Sequence, residues 1–188
     1  MKKLLITCFE PFGGEARNIS SEIVDMLSER IGEFEIEKLL LPVEFGRAAD
    51  IAVKSAQDMR ADAIISFGQA GGRSAVTPEM VALNLRFASI PDNAGAKPLD
   101  EPVVAGAENA LFTTLPVREM VASLKAAGVP SAVSYSAGTY VCNDLYFKIL
   151  HRFKGTGVRA AFVHVPRESE TLTSQMMAKA VEKMIEKL

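Results

Sequence analysis

Short apolar runs that alternate with amphipathic segments constrain the fold of this chain more than any other feature. The runs predicted to be strands are KLLITCF, FEIEKLLLP, ADAIISFG, SAVSYS and RAAFVHVP. The segments between them, such as SSEIVDMLSERIG with its expected end at Gly32, carry apolar residues at helical spacing. Because strands buried on both faces read as continuous apolar runs, this order predicts a three-layer α/β/α sandwich with a mainly parallel central sheet.

One stretch in the middle of the chain follows a different period. In EMVALNLRF, apolar residues at every second position predict a strand with one buried face. Three prolines interrupt residues 90–106, and ALFTTLP is expected to return as a partner strand. We therefore predict an antiparallel hairpin added to the main architecture.

Length and charge limit the classes of protein to which the chain can belong. Its 188 residues suit a single domain, residues 1–188, and its net charge of -2 arises from acids and bases mixed along the sequence. The sequence contains no basic block of the kind that would predict binding to nucleic acid or to a membrane surface. The apolar N-terminal run is shorter than a signal-peptide core and leads into Glu10 and Pro11, so we expect a cytoplasmic protein.

Cys142 is the first candidate for chemistry, because it lies where a turn is predicted to pass into a helix. Thr139 is the expected N-cap, which would place Cys142 near the third residue of that helix. The free N–H groups and partial positive charge there favour a thiolate and can stabilise an oxyanion. The alternative is a buried apolar filler. The other cysteine, Cys8, is distant in sequence, so neither a disulfide nor a metal site is predicted.

His164 and Glu79 are the other candidates, since both accompany buried strands. His164 interrupts the run RAAFVHVP and needs a polar partner, although backbone alone could supply it. Glu79 follows the glycine-rich segment GQAGGRSAVTPE, where a solvated carboxylate is the alternative. Sites in open α/β sheets form beyond the carboxyl ends of strands. Together with Cys142, the two side chains would provide the nucleophile, base and orienting carboxylate of a cysteine hydrolase.

Five linked blocks resemble the pyroglutamyl-peptidase I (pyrrolidone-carboxylate peptidase) family over nearly the whole chain. They are TCFEPFGGEARNIS, GQAGGRSAVTPEMVALN, IPDNAGAKPLDEPVV, SAGTYVCNDLY and FVHVP, in the family's order. The resemblance implies a catalytic triad of Glu79, His164 and Cys142 that removes N-terminal pyroglutamyl residues from peptides through a thioester. It also implies an α/β/α fold, no metal or cofactor, and a homo-oligomer, often a tetramer.

The resemblance further predicts where the substrate binds. Pyroglutamate is a small uncharged lactam, which needs an apolar slot with a few polar contacts. Phe9 and Phe12 lie just past the first predicted strand, where two rings could form such a slot, and core packing is the alternative. By resemblance, the substrate-binding set is completed by Gln69, Ile90, Tyr140 and Val141.

Two positions and one segment depart from the family pattern. Cys8 stands where the family usually has glycine, close to the expected slot. Ser89 stands where many members have an arginine that is associated with the oxyanion region. Arg86 lies three residues earlier, and its strand spacing is expected to point it to the opposite face. The segment between His164 and the last helix is short for the family.

Two other functions stay open at this point. Ser89 and Cys8 suggest a non-catalytic descendant that binds pyroglutamyl peptides. A nucleoside-phosphorylase-like enzyme of similar architecture would use Arg73 and the glycine-rich loop as an anion site. A thiol redox protein is disfavoured because the chain has no C-x-x-C motif.

Overall fold

The computed structural model describes residues 1–188 as eight strands and five helices. The strands are β1 (Lys2–Phe9), β2 (Arg30–Ile31), β3 (Phe34–Leu41), β4 (Ala63–Gln69), β5 (Thr77–Pro78), β6 (Val81–Leu83), β7 (Ala110–Phe112) and β8 (Arg159–Val165). The helices are α1 (Ile19–Met26), α2 (Arg47–Met59), α3 (Val117–Ala126), α4 (Val141–Arg152) and α5 (Ser174–Ile185). None of these helices is both long and apolar enough to cross a membrane.

The six-stranded central sheet has the order β2-β3-β1-β4-β8-β5. Its four inner strands run parallel, whereas β2 and β5 pair antiparallel at the two edges. Helix α5 contacts both α1 and α3, and α2 contacts α4. The three-layer sandwich with a mainly parallel sheet is therefore confirmed.

Two separate hydrophobic clusters show how the sheet divides the core. Leu4 and Ile6 belong to the cluster that includes residues of α1, α3 and α5, whereas Leu5 belongs to the cluster of α2 and α4. Successive side chains of a strand point to opposite faces, so one apolar strand feeds both layers. This double burial explains why the inner strands read as unbroken apolar runs in the sequence.

The predicted hairpin exists as its own two-stranded sheet. β6 and β7 pair antiparallel, and both contact α4. Strand β6 is shorter than the period-two pattern predicted. It ends at Leu83 and does not continue to Phe87. After Leu83 the backbone changes partners, since the Asn84 side chain binds Val104 and Arg86 pairs with Glu101.

Two predicted elements are wrong in detail. Helix α1 ends at Met26, and Gly32, with a φ of 57°, forms the turn between β2 and β3. The chain leaves the helix early because the Ser28 backbone N–H and hydroxyl bind Glu182 of α5.

SAVSYS is not a regular strand either. It makes only single parallel bridges, from Ser131 to Val76 and from Ser134 to Glu79. Pro78 lies between the two bridges, accepts a hydrogen bond from the Ser134 N–H and has no N–H to return. A continuous ladder therefore cannot form at this edge of the sheet.

Candidate active site

Cys142 is the second residue of helix α4, and the N-cap is Tyr140. The predicted cap, Thr139, instead donates its hydroxyl to the carbonyl of Phe87. No side chain caps the helix, and the first backbone N–H to find an acceptor is that of Asp144, 3.1 Å from the Tyr140 carbonyl. The three N–H groups before it donate to no backbone carbonyl, so they are available beside the thiol.

Two fully buried polar residues directly after Cys142 fix the start of α4. The Asn143 side chain accepts from the Leu83 N–H at 2.8 Å and donates to the carbonyls of Leu83 and Leu85 at 2.8 and 3.0 Å. Asp144 accepts from the Gly46 N–H at 2.8 Å. Neither residue was predicted from the sequence, although two adjacent polar residues in an otherwise apolar helix start are a usable signal.

Arg86 is the other partner of Asp144, and its Nη2 lies 2.5 Å from the Asp144 carboxylate. This ion pair is largely buried, so the guanidinium is committed to anchoring the helix. Arg86 therefore does not substitute for an arginine at Ser89. The available N–H groups of α4 are the donors that lie beside Cys142.

Glu79 and His164 form a buried hydrogen-bonded pair. The His164 Nδ1 lies 2.7 Å from the Glu79 Oε1, and neither side chain is appreciably exposed. The Glu79 N–H donates to the Phe162 carbonyl at 2.8 Å, and the Tyr146 hydroxyl donates to the Glu79 carbonyl at 3.0 Å. With Glu79 ionised, Nδ1 carries the imidazole proton, which leaves Nε2 free to accept one.

Arg73 is a third member of this buried cluster. Its Nη1 lies 2.6 Å from the Glu79 Oε1 and also contacts the Thr77 hydroxyl, while its Nη2 donates to the Ser136 carbonyl at 3.1 Å. The guanidinium therefore binds the Glu79 carboxylate, which takes the place of the anion that the phosphorylase alternative assigned to Arg73.

Gly68 neighbours both Cys142 and His164. It pairs with His164 across β4 and β8. A Cβ atom at Gly68 would lie 3.0 Å from the Cys142 Sγ and 2.8 Å from the Phe162 ring. The thiol therefore passes over the strand at the residue next to the histidine, and only glycine leaves room for it.

Burial is the largest influence on the pKa values of Cys142 and His164. It raises the pKa of the Cys142 thiol to about 12, with the negative charge of Glu79 acting in the same direction and Arg73 opposing it. Burial also lowers the pKa of His164, against the hydrogen bond that its Nδ1–H donates to Glu79. Desolvation therefore opposes the thiolate that the helix N-terminus was expected to favour.

An apolar slot opens next to Cys142. It is lined by Phe9, Phe12, Asn18, Val43, Gln69, Tyr140, Val141 and Cys142. Five of the six residues predicted to bind substrate are in this lining, and Ile90 is not. Ile90 is 46% exposed and lies next to Gly13. Asn18 and Val43 were not predicted.

Aromatic contacts and hydrogen bonds hold the slot walls. The Tyr140 ring lies 6.1 Å from the Phe12 ring and 5.4 Å from the Phe45 ring, and its hydroxyl donates to the Pro91 carbonyl at 3.0 Å. Both polar atoms of the Gln69 side chain are engaged, by the Ile19 N–H and by Glu15. Gln69 therefore stiffens the wall with its side chain.

Cys8 does not crowd the slot. Its side chain points to the opposite face of the sheet, into the cluster with Leu4 and Ile6, and burial raises its pKa to about 12. The short segment after β8 is fastened across the chain by an ion pair of Arg167 with Glu15. No three His, Cys, Asp or Glu side chains lie close enough together to hold a metal ion.

The fold and the layout of this site are those that a cysteine peptidase of the α/β class requires. A family model described as pyroglutamyl peptidase matches residues 2–186, and the chain therefore belongs to the pyroglutamyl peptidase family. This confirms the resemblance found in the sequence.

Similar proteins agree with that membership. The chain is 46% identical to a pyrrolidone-carboxylate peptidase of Erwinia tasmaniensis over 88% of its length and 78% of that protein. It is 46% identical to one of Thermococcus kodakarensis over 89% of its length and 82% of that protein. The crystal structure of pyroglutamyl peptidase I of Bacillus amyloliquefaciens superposes with a TM-score of 0.93 at 35% identity, covering 99% of this chain and 96% of that one.

Proposed function

We propose that this protein removes an N-terminal pyroglutamyl residue from peptides, with Cys142 as nucleophile, His164 as general acid and base, and Glu79 as the group that orients His164. The observation that carries this proposal is the buried 2.7 Å pair of Glu79 and His164, held beside a thiol at an uncapped helix N-terminus. A nucleophile, a base and an orienting acceptor in this order are the requirement for acyl transfer.

The slot suits the acyl group of such a substrate. A pyroglutamyl ring is uncharged and compact, and the rings of Phe9, Phe12 and Tyr140 offer it apolar contact. An ordinary N-terminal residue carries a charged amine, which would lose its hydration in this lining without an ionic partner. The slot therefore favours the lactam over a free α-amino group.

The first half of the reaction forms a thioester. The Cys142 proton moves to the His164 Nε2 as Sγ attacks the pyroglutamyl carbonyl carbon, and the free N–H groups at the start of α4 hold the resulting oxyanion. When the C–N bond breaks, the imidazolium gives its proton to the leaving amine of the peptide. The imidazolium is stabilised meanwhile by Glu79.

The second half regenerates the enzyme. Water gives a proton to His164 and attacks the thioester carbonyl, and a second oxyanion forms in the same place. Collapse of this intermediate breaks the C–S bond and releases pyroglutamate, and the proton returns to the Cys142 sulfur. No group outside the chain and water is needed to balance these steps.

The alternative functions are weaker on specific grounds. A phosphorylase would need Arg73 for phosphate, but this arginine is paired with Glu79. A binding protein without activity would not need Gly68 to make room for the thiol beside His164. We further propose that the chain acts as a single domain in the cytoplasm and assembles as a homo-oligomer, which would cover exposed apolar side chains such as Leu99 and Phe112.

A pyroglutamyl fluorogenic amide tests the proposal. We expect wild-type protein to release the fluorophore and Cys142→Ser to release none above background. Release by both proteins at the same rate would reject the peptidase assignment. Binding of a pyroglutamyl peptide without release would favour the non-catalytic alternative.

A further inference from the structure

Arg73 binds Glu79 but takes no part in the acyl-transfer steps. It belongs to the loop between β4 and β5, and its side chain is 27% exposed, whereas that of Glu79 is 0% exposed. Nη1 reaches the Glu79 Oε1 at 2.6 Å and Nη2 reaches the Ser136 carbonyl at 3.1 Å. The fork of the guanidinium therefore bridges the carboxylate to the chain segment that leads into α4.

The charge of Glu79 needs a partner inside the protein. The Glu79 Oε1 accepts from both His164 and Arg73, while Oε2 is buried without any hydrogen-bond partner. A buried carboxylate persists as an anion only when a cation compensates it. Arg73, whose guanidinium is always charged, is in direct contact with Glu79.

We infer that Arg73 is a positioning residue of the triad, because it balances the buried charge of Glu79 and so lets His164 stay a neutral base between turnovers. This inference rests on the proposed function, since it assigns Arg73 a role in the same site. Without Arg73, His164 would be the group left to supply the positive charge, and a protonated imidazole cannot accept the Cys142 proton.

The groups around Glu79 define the expected direction of change. They are His164 from β8, Cys142 and Tyr146 from α4, and Arg73 itself. Burial is the main cause of the lowered pKa of His164, and the charge of Arg73 acts in the same direction. For Cys142 the charge of Arg73 also acts to lower the pKa, against burial and the charge of Glu79, which raise it. Loss of this charge should therefore raise both pKa values and move the acidic limb of kcat/KM to higher pH.

Two substitutions separate charge from hydrogen bonding. Arg73→Gln can keep a hydrogen bond to Glu79 but has no charge, whereas Arg73→Lys keeps the charge without the fork. We expect Arg73→Gln to move the acidic limb of kcat/KM upward by roughly one pH unit or more, in the range that a nearby charge produces. We expect Arg73→Lys to keep the limb within a few tenths of a unit of wild type.

A titration by NMR tests the same point without turnover. The chain has 2 histidines, so the imidazole signals of His164 and His151 can be assigned with one substitution, in a Cys142→Ser background. Adding Arg73→Gln should raise the His164 midpoint by about one unit, while His151 stays unchanged. Adding Arg73→Lys should leave both midpoints in place.

The outcomes distinguish this inference from the proposed function. An inactive wild-type protein would reject the peptidase assignment, while the titration would still report on Arg73. A His164 midpoint that Arg73→Gln does not move, or that Arg73→Lys moves equally far, would overturn the role of Arg73. If Arg73→Gln does not fold, a wild-type midpoint in Arg73→Lys supports the role and a raised midpoint overturns it.

Discussion

Gly68 faces Cys142 so closely that a Cβ atom at this position would lie 3.0 Å from the thiol sulfur. Gly68 also pairs with His164 in the central sheet. The backbone of β4 therefore forms the floor beneath the Cys142 sulfur, beside the strand position of His164, and the absence of a side chain at Gly68 leaves room for the sulfur.

Gly68→Ala should reduce activity by displacing the thiol. The added methyl group would collide with the Cys142 sulfur and with the Phe162 ring at 2.8 Å. We expect kcat to fall by about 10²-fold, since misplacement of a reacting group by about 1 Å costs that much. Overpacking should also cost about 1–3 kcal/mol of unfolding free energy. Steady-state kinetics and denaturant unfolding measure the two effects.

Gly72→Ala is the matched control, because no heavy atom lies within 4 Å of its added Cβ and its φ is not positive. It should keep wild-type kcat and stability. If Gly68→Ala kept full activity with unchanged stability, the placement of the thiol over β4 would be wrong.

Glu79→Gln should impair the reaction far more than binding. Glutamine keeps the shape of the side chain but cannot stabilise the imidazolium, and its amide can turn an N–H toward His164 Nδ1 and impose the wrong tautomer. We expect kcat to fall by about 10³–10⁴-fold, by analogy with loss of the orienting carboxylate in a triad, with little change in KM.

Glu170→Gln makes the same chemical change at an exposed residue outside the site, and it should behave as wild type. A loss of less than tenfold in kcat for Glu79→Gln, measured beside this control, would remove Glu79 from the mechanism.

Much of the fold could be predicted because burial is visible in the sequence as a pattern of apolar residues. Strands covered on both faces appear as apolar runs, and Glu79, Cys142 and His164 were found because reactive residues near the ends of such runs converge on one sheet edge. Helix α1 ended earlier than its pattern suggested because Glu182, distant in sequence, binds Ser28 through two hydrogen bonds.

The parts of the site that were missed depend on contacts between distant segments. Gly68 matters because of Cys142 and Phe162, and the partner of Arg73 is evident only when Glu79 is seen to be buried. The prediction of a thiolate at the helix N-terminus did not include the desolvation of the thiol, whose size depends on the surrounding packing. No local pattern contains that information.

Asn143→Ala should destabilise the protein, because it leaves the Leu83 N–H and the carbonyls of Leu83 and Leu85 without their side-chain partner. Each unsatisfied buried group costs about 1–3 kcal/mol, so we expect a loss of at least about 2 kcal/mol of unfolding free energy. Activity per folded molecule should fall too, since Asn143 adjoins the nucleophile. Asn109→Ala, at an exposed position whose side chain makes no hydrogen bond, should change neither quantity.

Alkylation of Cys142 should be slow at neutral pH and accelerate with pH. Because burial raises the pKa of this thiol to about 12, the thiolate fraction is small at pH 7 and grows about tenfold for each unit of pH below that value. Mass spectrometry after timed exposure to iodoacetamide gives the rate, with Cys142→Ser reporting the background from buried Cys8. A rate that is already maximal at pH 6 would instead indicate a preformed thiolate.

The most direct test of Cys142 as the nucleophile is a search for its thioester. Rapid acid quenching of wild-type enzyme with excess pyroglutamyl substrate, followed by proteolysis and mass spectrometry, identifies the residue that carries the acyl group. We predict one pyroglutamyl group on the peptide that contains Cys142, sensitive to hydroxylamine and absent from Cys142→Ser. Acylation of another residue, or turnover by Cys142→Ser at the wild-type rate, would contradict Cys142 as the nucleophile.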